Sequence, residues 1–131
     1  MTRRVSSGTP WEPLVGYSRA VAAGDHVFVS GCTSVDAEGQ VVHEGDPGAQ
    51  ARQAIRNVAR ALDELGCTLD AVVSTRMFVT DIGTAEDVGR AHAEAFGEVL
   101  PATSMVEVSR LIDPRMLVEI EAVAYKPNVG W

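Results

Sequence analysis

The chain reads as an α+β domain, a mixed β-sheet with two helices packed on one face. Three observations lead there. Two segments repeat apolar residues at intervals of three and four between clear start and stop signals, and the segments around them are rich in β-branched, alternating residues. The resulting order is strand, strand, helix, strand, helix, strand, strand, which matches a layered sheet-and-helix fold. No repeat, low-complexity tract or linker interrupts the 131 residues, so a single domain spanning 1–131 is expected.

The first strands are 20–22 and 26–30, joined through Ala23-Gly24-Asp25, where glycine permits the tight reversal. Residues 31–45 are mixed, with Gly39 and Gly45 marking loops and Gln40-Val41-Val42 read as a short edge strand. Asp46 followed by Pro47 starts a helix. The carboxylate caps free amides, and proline fits the first turn because its missing N–H is not needed there. Ala51, Ala54, Ile55, Val58, Ala61, Leu62 and Leu65 form its apolar stripe, and Gly66 stops it. Residues 72–80 form the next strand. Thr84 and Asp87 read as a capping box for a second helix whose stripe is Val88, Ala91, His92, Ala95, Phe96 and Val99, ended by Gly97 and Pro101. Residues 101–111 and 117–125 complete the sheet.

Two helices cover one face of such a sheet. Val27, Val29, Met77, Val118 and Ile120, taken from several strands and read as alternating in facing, imply an apolar second face that meets another subunit.

The composition is 46% apolar and 22% charged, that of a globular protein, and no window reaches the ~18 unbroken apolar residues of a membrane span. Arg3-Arg4 has no apolar stretch behind it, so a soluble, cytoplasmic chain is expected. A net charge of −7 disfavours nucleic-acid partners, whose binding rests on cations displacing counterions. Arg52, Arg56 and Arg60 align at helical spacing and read as a solvated face. Cys32 and Cys67 lack metal-ligand spacing and are expected reduced. His26, His43 and His92 form no HxH or HExxH pattern, so no metal is expected, and His92 reads as a satisfied neutral core histidine. Without a GxGxxG, P-loop or GxSxG pattern, no cofactor and no covalent catalysis are expected.

Glu121 is the chemical candidate. It shares a strand face with Leu117, Glu119, Val123 and Tyr125, opposite Val118, Ile120, Ala122 and Ala124. A carboxylate in this apolar run loses hydration unless it is paired or placed in a cleft, so it reads as a water-orienting group or as a strand carboxylate satisfied by arginine. Thr103 and Met105 share a face of the preceding strand and would line the same cleft if the two strands pair. Tyr17 offers a hydroxyl before the first strand.

Together Gly16-Tyr17-Ser18, 27–31, the 53–66 helix, Arg76-Met77-Phe78-Val79-Thr80-Asp81, Pro101-Ala102-x-Ser104-x-Val106-Glu107-Val108 and Val118-Glu119-Ile120-Glu121-Ala122 give a chain that resembles the RidA family. These YjgF-like reactive-intermediate deaminases were once described as endoribonucleases. The resemblance covers nearly the whole chain. It implies a chorismate-mutase-like subunit, a homotrimer whose sheets form a barrel, and clefts between subunits that take a small-molecule metabolite. Members with deaminase activity hydrolyse imino or enamine acids to keto acids and ammonia, with an arginine after Pro-Ala gripping the substrate carboxylate. Here that position is Thr103. Met105 replaces a cleft cysteine, Cys32 stands where glutamine is commonest, and Arg90 aligns with a helix asparagine. The resemblance implies Glu121 as the catalytic residue and Tyr17, Ser30, Gly31, Thr103 and Met105 as substrate-binding residues, in an imine or enamine hydrolase of altered substrate range. The alternative is an inactive trimeric module binding a small metabolite or partner.

Overall fold

The computed structural model describes residues 2–127. Its elements are β1 (Thr2–Val5), α1 (Trp11–Val15), β2 (Ala20–Ala23), β3 (His26–Cys32), α2 (Pro47–Asp63), β4 (Val72–Val79), α3 (Ala85–Phe96), β5 (Ala102–Glu107) and β6 (Val118–Tyr125). The strands form one sheet in the order β1-β2-β3-β6-β4-β5. It is mixed, because β4 and β5 run parallel while the other neighbours are antiparallel.

The expected order of elements is present, preceded by β1 and α1, which sequence reading missed. β1 carries Thr2, Arg3 and Arg4 at exposed positions and buries only Val5, so it has no apolar alternation to betray it. α1 is a single turn ended by Gly16 in the left-handed conformation, too short for a periodic signal. The edge strand expected at 40–42 reduces to one isolated bridge between Val35 and Val41.

Asp46 caps α2 as its chemistry requires, accepting from Ala49 N at 3.0 Å. At the other end Gly66 takes φ 72°, which lets Cys67 N reach Leu62 O at 3.0 Å. The capping box expected for α3 does not form: the Thr84 hydroxyl donates to Asp81 O at 2.7 Å instead of accepting from the helix. Asp81 supplies the local cap by accepting from Gly83 N at 2.8 Å.

The core lies between the sheet and helices α2 and α3. Val27, Val29, Met77, Val118 and Ile120 are all buried in it. They therefore share the covered face and do not alternate, because β3–β6 pairing sets Val29 opposite Ala122 while β4–β6 pairing sets Met77 opposite Ile120. The open face carries other apolar groups, including the exposed Phe28, Val106 and Tyr125. Gln50, fully buried on α2, ties the loop before β6 to the core by donating to Arg115 O and accepting from Leu117 N. This contact fixes the start of the strand that carries Glu119 and Glu121.

Candidate functional site

Local strand geometry places Glu121. Along β6, buried residues alternate with half-buried ones, so Glu119 and Glu121 point to the open face while Ile120 and Ala122 point to the core. Pairing with β3 is regular at Val29↔Ala122 and resumes at Cys32↔Ile120. Ser30 and Gly31 thus face the single residue Glu121 as a β-bulge, a feature that turns side chains and opens the ladder. On the other side Glu121 is the cross-strand partner of Arg76, whose guanidinium meets the carboxylate at 2.5 Å. Arg76 is 67% exposed and the Glu121 side chain 28% exposed, so the pair sits at the rim of solvent. A shallow concavity of about 260 Å³ lies over it, lined by Val21, Phe28, Ser30, Ser74, Arg76 and Glu121 among others.

Beyond the bulge lies a second polar cluster built around Arg19. Its guanidinium donates to Gly31 O at 2.6 Å and to Tyr17 Oη at 3.2 Å, and it stands over the Tyr17 ring. Glu12, almost fully buried, lies 3.8 Å from Arg19 and accepts from Ser7 N, the Ser7 hydroxyl and the Thr9 hydroxyl. Burial alone raises the Glu12 carboxyl, but those hydrogen bonds outweigh it and hold the group below the usual glutamate range. Ser30 is locked to the loop before β2 through its hydroxyl, which donates to Ser18 O at 2.7 Å. Glu119 passes so close to Gly31 that any side chain there would meet its carboxylate. Burial, then the Glu121 charge, raises the Glu119 pKa, and Arg19 offsets part of the rise. Cys32 is a free, buried thiol that burial pushes up to about 11, which makes it a poor nucleophile.

Thr103 and Met105 lie elsewhere. β5 does not pair with β6: it pairs in parallel with β4, setting Thr103 beside Thr75 and Met105 beside Met77. Thr75 and Met77 belong to the covered face, so Thr103 and Met105 stand on the helix side of the sheet, opposite the face of Glu121. The expected sharing of one cleft within a subunit therefore fails, because an intervening strand separates the two positions and their side-chain parity differs. Ser104, across Arg76, stands on the Glu121 face, as do Ala102 and Val106. The Thr103 hydroxyl meets Thr75 Oγ1 at 2.7 Å and Pro101 O at 3.2 Å, and Thr75 Oγ1 in turn meets His92 Nε2 at 2.9 Å. His92 is half-buried against Phe96, and burial lowers its pKa, so it is the satisfied neutral histidine its helix position predicts.

Arg90 is a surface residue paired with Glu86 and Asp87 on its own helix. The cations beside the candidate site are Arg19 and Arg76. Sequence reading missed them in this role, along with Thr75 and Glu119, although the polar interruption of the 72–80 strand by Arg76 marks an outward-facing position.

The sequence pattern of the family described as Endoribonuclease L-PSP matches residues 9–126, and the chain belongs to that family, the YjgF/RidA family. It is 41% identical over 127 residues to an uncharacterized protein of Streptomyces coelicolor, covering 97% of this chain and 94% of the relative. It is 36% identical over 118 residues to the 3-aminoacrylate deaminase RutC of Acinetobacter baylyi, covering 90% of this chain and 92% of that one. Among solved structures, a YjgF/YER057c/UK114 family member from Mycobacterium tuberculosis superimposes with a TM-score of 0.87 at 49% identity, covering 95% of this chain and 99% of its own.

Proposed function

We propose that the chain is a small-molecule hydrolase acting on imines, enamines or related labile metabolites at clefts between subunits. The observation that carries this reading is Glu121, a half-buried carboxylate opposite a β-bulge, oriented by Arg76 and open to a concavity. In the proposed reaction Glu121 takes a proton from water as the oxygen adds to the imine carbon and returns it to the nitrogen, giving a carbinolamine; transfer of the hydroxyl proton to that nitrogen then breaks the C–N bond and releases a carbonyl compound and ammonia. The relative RutC, named for deamination of 3-aminoacrylate, supports enamine chemistry on this scaffold.

Glu121 and Thr103 occupy opposite faces, so a site using both takes them from different copies. A homotrimer in which the open faces close a barrel supplies that arrangement, and the exposed Phe28, Val106 and Tyr125 give it an apolar seam. Ser30, Gly31 and Tyr17 belong to the Glu121 side of the proposed cleft, Thr103 and Met105 to the other. An arginine at position 103 would grip a carboxylate through two charge-assisted hydrogen bonds of roughly 1.5–3 kcal/mol each; threonine has one hydroxyl, so imino-acid binding weakens at least about tenfold. RNA cleavage, which the family description names, finds no support in a chain of net charge −7 whose site cations are engaged with Glu12, Gly31 O and Glu121. Among the described residues no helix is long and apolar enough to cross a membrane. A cytoplasmic location and independence from any cofactor complete the proposal.

The test is hydrolysis of 2-iminopropanoate, generated with an amino-acid oxidase. Wild type should exceed the uncatalysed rate, and Glu121→Ala should fall by about 10²-fold or more. Equal rates with and without wild-type protein, for 2-iminopropanoate and for its neutral amide alike, contradict the enzyme. The loss of the usual arginine at Thr103 favours one second reading, a trimeric module that binds a metabolite without chemistry. In that case a thermal-shift screen finds a ligand which at 100 times its dissociation constant adds about 2.7 kcal/mol per site, with no turnover.

A further inference from the structure

The Thr103 hydroxyl is the exposed end of a three-member hydrogen-bond chain. Thr75, only 1% exposed, sits in the middle, and the half-buried His92 closes the inner end. A threonine hydroxyl has one proton. For Thr103 that proton has two inward acceptors, Pro101 O and Thr75 Oγ1.

Both ways of arranging the protons lead to the same outward chemistry. If His92 Nε2 bears its proton, it donates to Thr75, Thr75 donates to Thr103, and Thr103 donates to Pro101 O. If His92 Nε2 is bare, Thr103 donates to Thr75 and Thr75 donates to His92. In each case the Thr103 proton is used inside the protein and only a lone pair faces outward. Donation to a ligand from Thr103 requires breaking one of these bonds.

We propose that Thr75 and His92 make the Thr103 hydroxyl an outward hydrogen-bond acceptor, so the site selects neutral substrates bearing an N–H donor, such as amides, over carboxylates. Thr75 and His92 are positioning residues, acting through Thr103. The inference rests on the reading of Thr103 as part of the small-molecule site. It sharpens that reading, since replacing arginine by threonine here reverses the polarity demanded of the ligand: a carboxylate brings lone pairs to a lone pair, whereas an amide brings a donor.

Calorimetric titration with pyruvamide and pyruvate tests it without needing turnover. Wild type should bind pyruvamide about tenfold or more tighter than pyruvate, the difference one hydrogen bond makes. Thr103→Val should bring the two ligands within about twofold, and Thr103→Ser should keep the preference. Thr103 is exposed, so these variants leave the core intact. Thr75→Val, which frees the Thr103 proton from one inward acceptor, should shrink the preference, and Thr75→Ser should restore it. Tighter pyruvate binding by wild type, a preference unchanged in Thr103→Val, or no binding of either ligand would overturn the inference. If the binding preference holds while neither 2-iminopropanoate nor its neutral amide, 2-iminopropanamide, is hydrolysed, the proposed hydrolase fails and the acceptor site stands.

Discussion

The two faces of β6 are built from one stretch of eight residues and do opposite work. Val118, Ile120, Ala122 and Ala124 are buried beneath the helices, while Glu119, Glu121 and Val123 face outward among Arg76, Ser74 and Phe28. The covered face is uniformly apolar and densely packed, which fixes the strand. The open face places two carboxylates on that fixed frame, where a bulge and two arginines shape their surroundings. The rigidity of the candidate site is thus supplied by its back: Glu121 is held in place by the packing of its buried neighbours Ile120 and Ala122.

The comparison breaks most visibly at Ile120. Ile120→Ala removes a fully buried side chain and should lower unfolding free energy by about 2–5 kcal/mol in urea titration. A loss below about 1 kcal/mol would mean that the covered face does not anchor the strand. Gly31→Ala tests the open face at its tightest point, where the new methyl group meets the Glu119 carboxylate. A side-chain end can swing aside, so the stability cost should be about 1 kcal/mol, and it should vanish when combined with Glu119→Ala. Additive effects in that double-mutant cycle would show that the contact is not what matters.

Glu119→Gln should give the smallest effect, and one that depends on pH. The folded-state pKa of Glu119 is raised above 4.5, chiefly by burial. The stability linked to its protonated form is present below the unfolded value and lost as pH rises through the folded value. Glutamine resembles the protonated acid, so the variant should gain no more than about 1 kcal/mol at pH 7 and nothing at pH 4. A gain that is equal at both pH values would assign the effect to something other than charge burial.

How much of this was legible in the sequence differs between the two faces. The helix stripes, the Asp46-Pro47 start, the hairpin and the parity of Glu121 follow from local periodicity and turn chemistry, and all are found in the structure. The partners across strands were not legible, because register is decided by tertiary pairing. Thr103 was expected beside Glu121 on the assumption that β5 and β6 pair, yet β4 lies between them. The same limitation hid the Arg76 ion pair and the Thr75–His92 link, each of which joins segments far apart in the chain. β1 and α1 escaped because one is polar and the other a single turn, neither leaving a period to detect.

The proposed interface on the open face, whose seams house Glu121, requires three copies of the chain. Sedimentation velocity at micromolar concentration tests it most directly. A species of three times the 13.9 kDa chain mass is expected, and a 13.9 kDa monomer would rule the interface out.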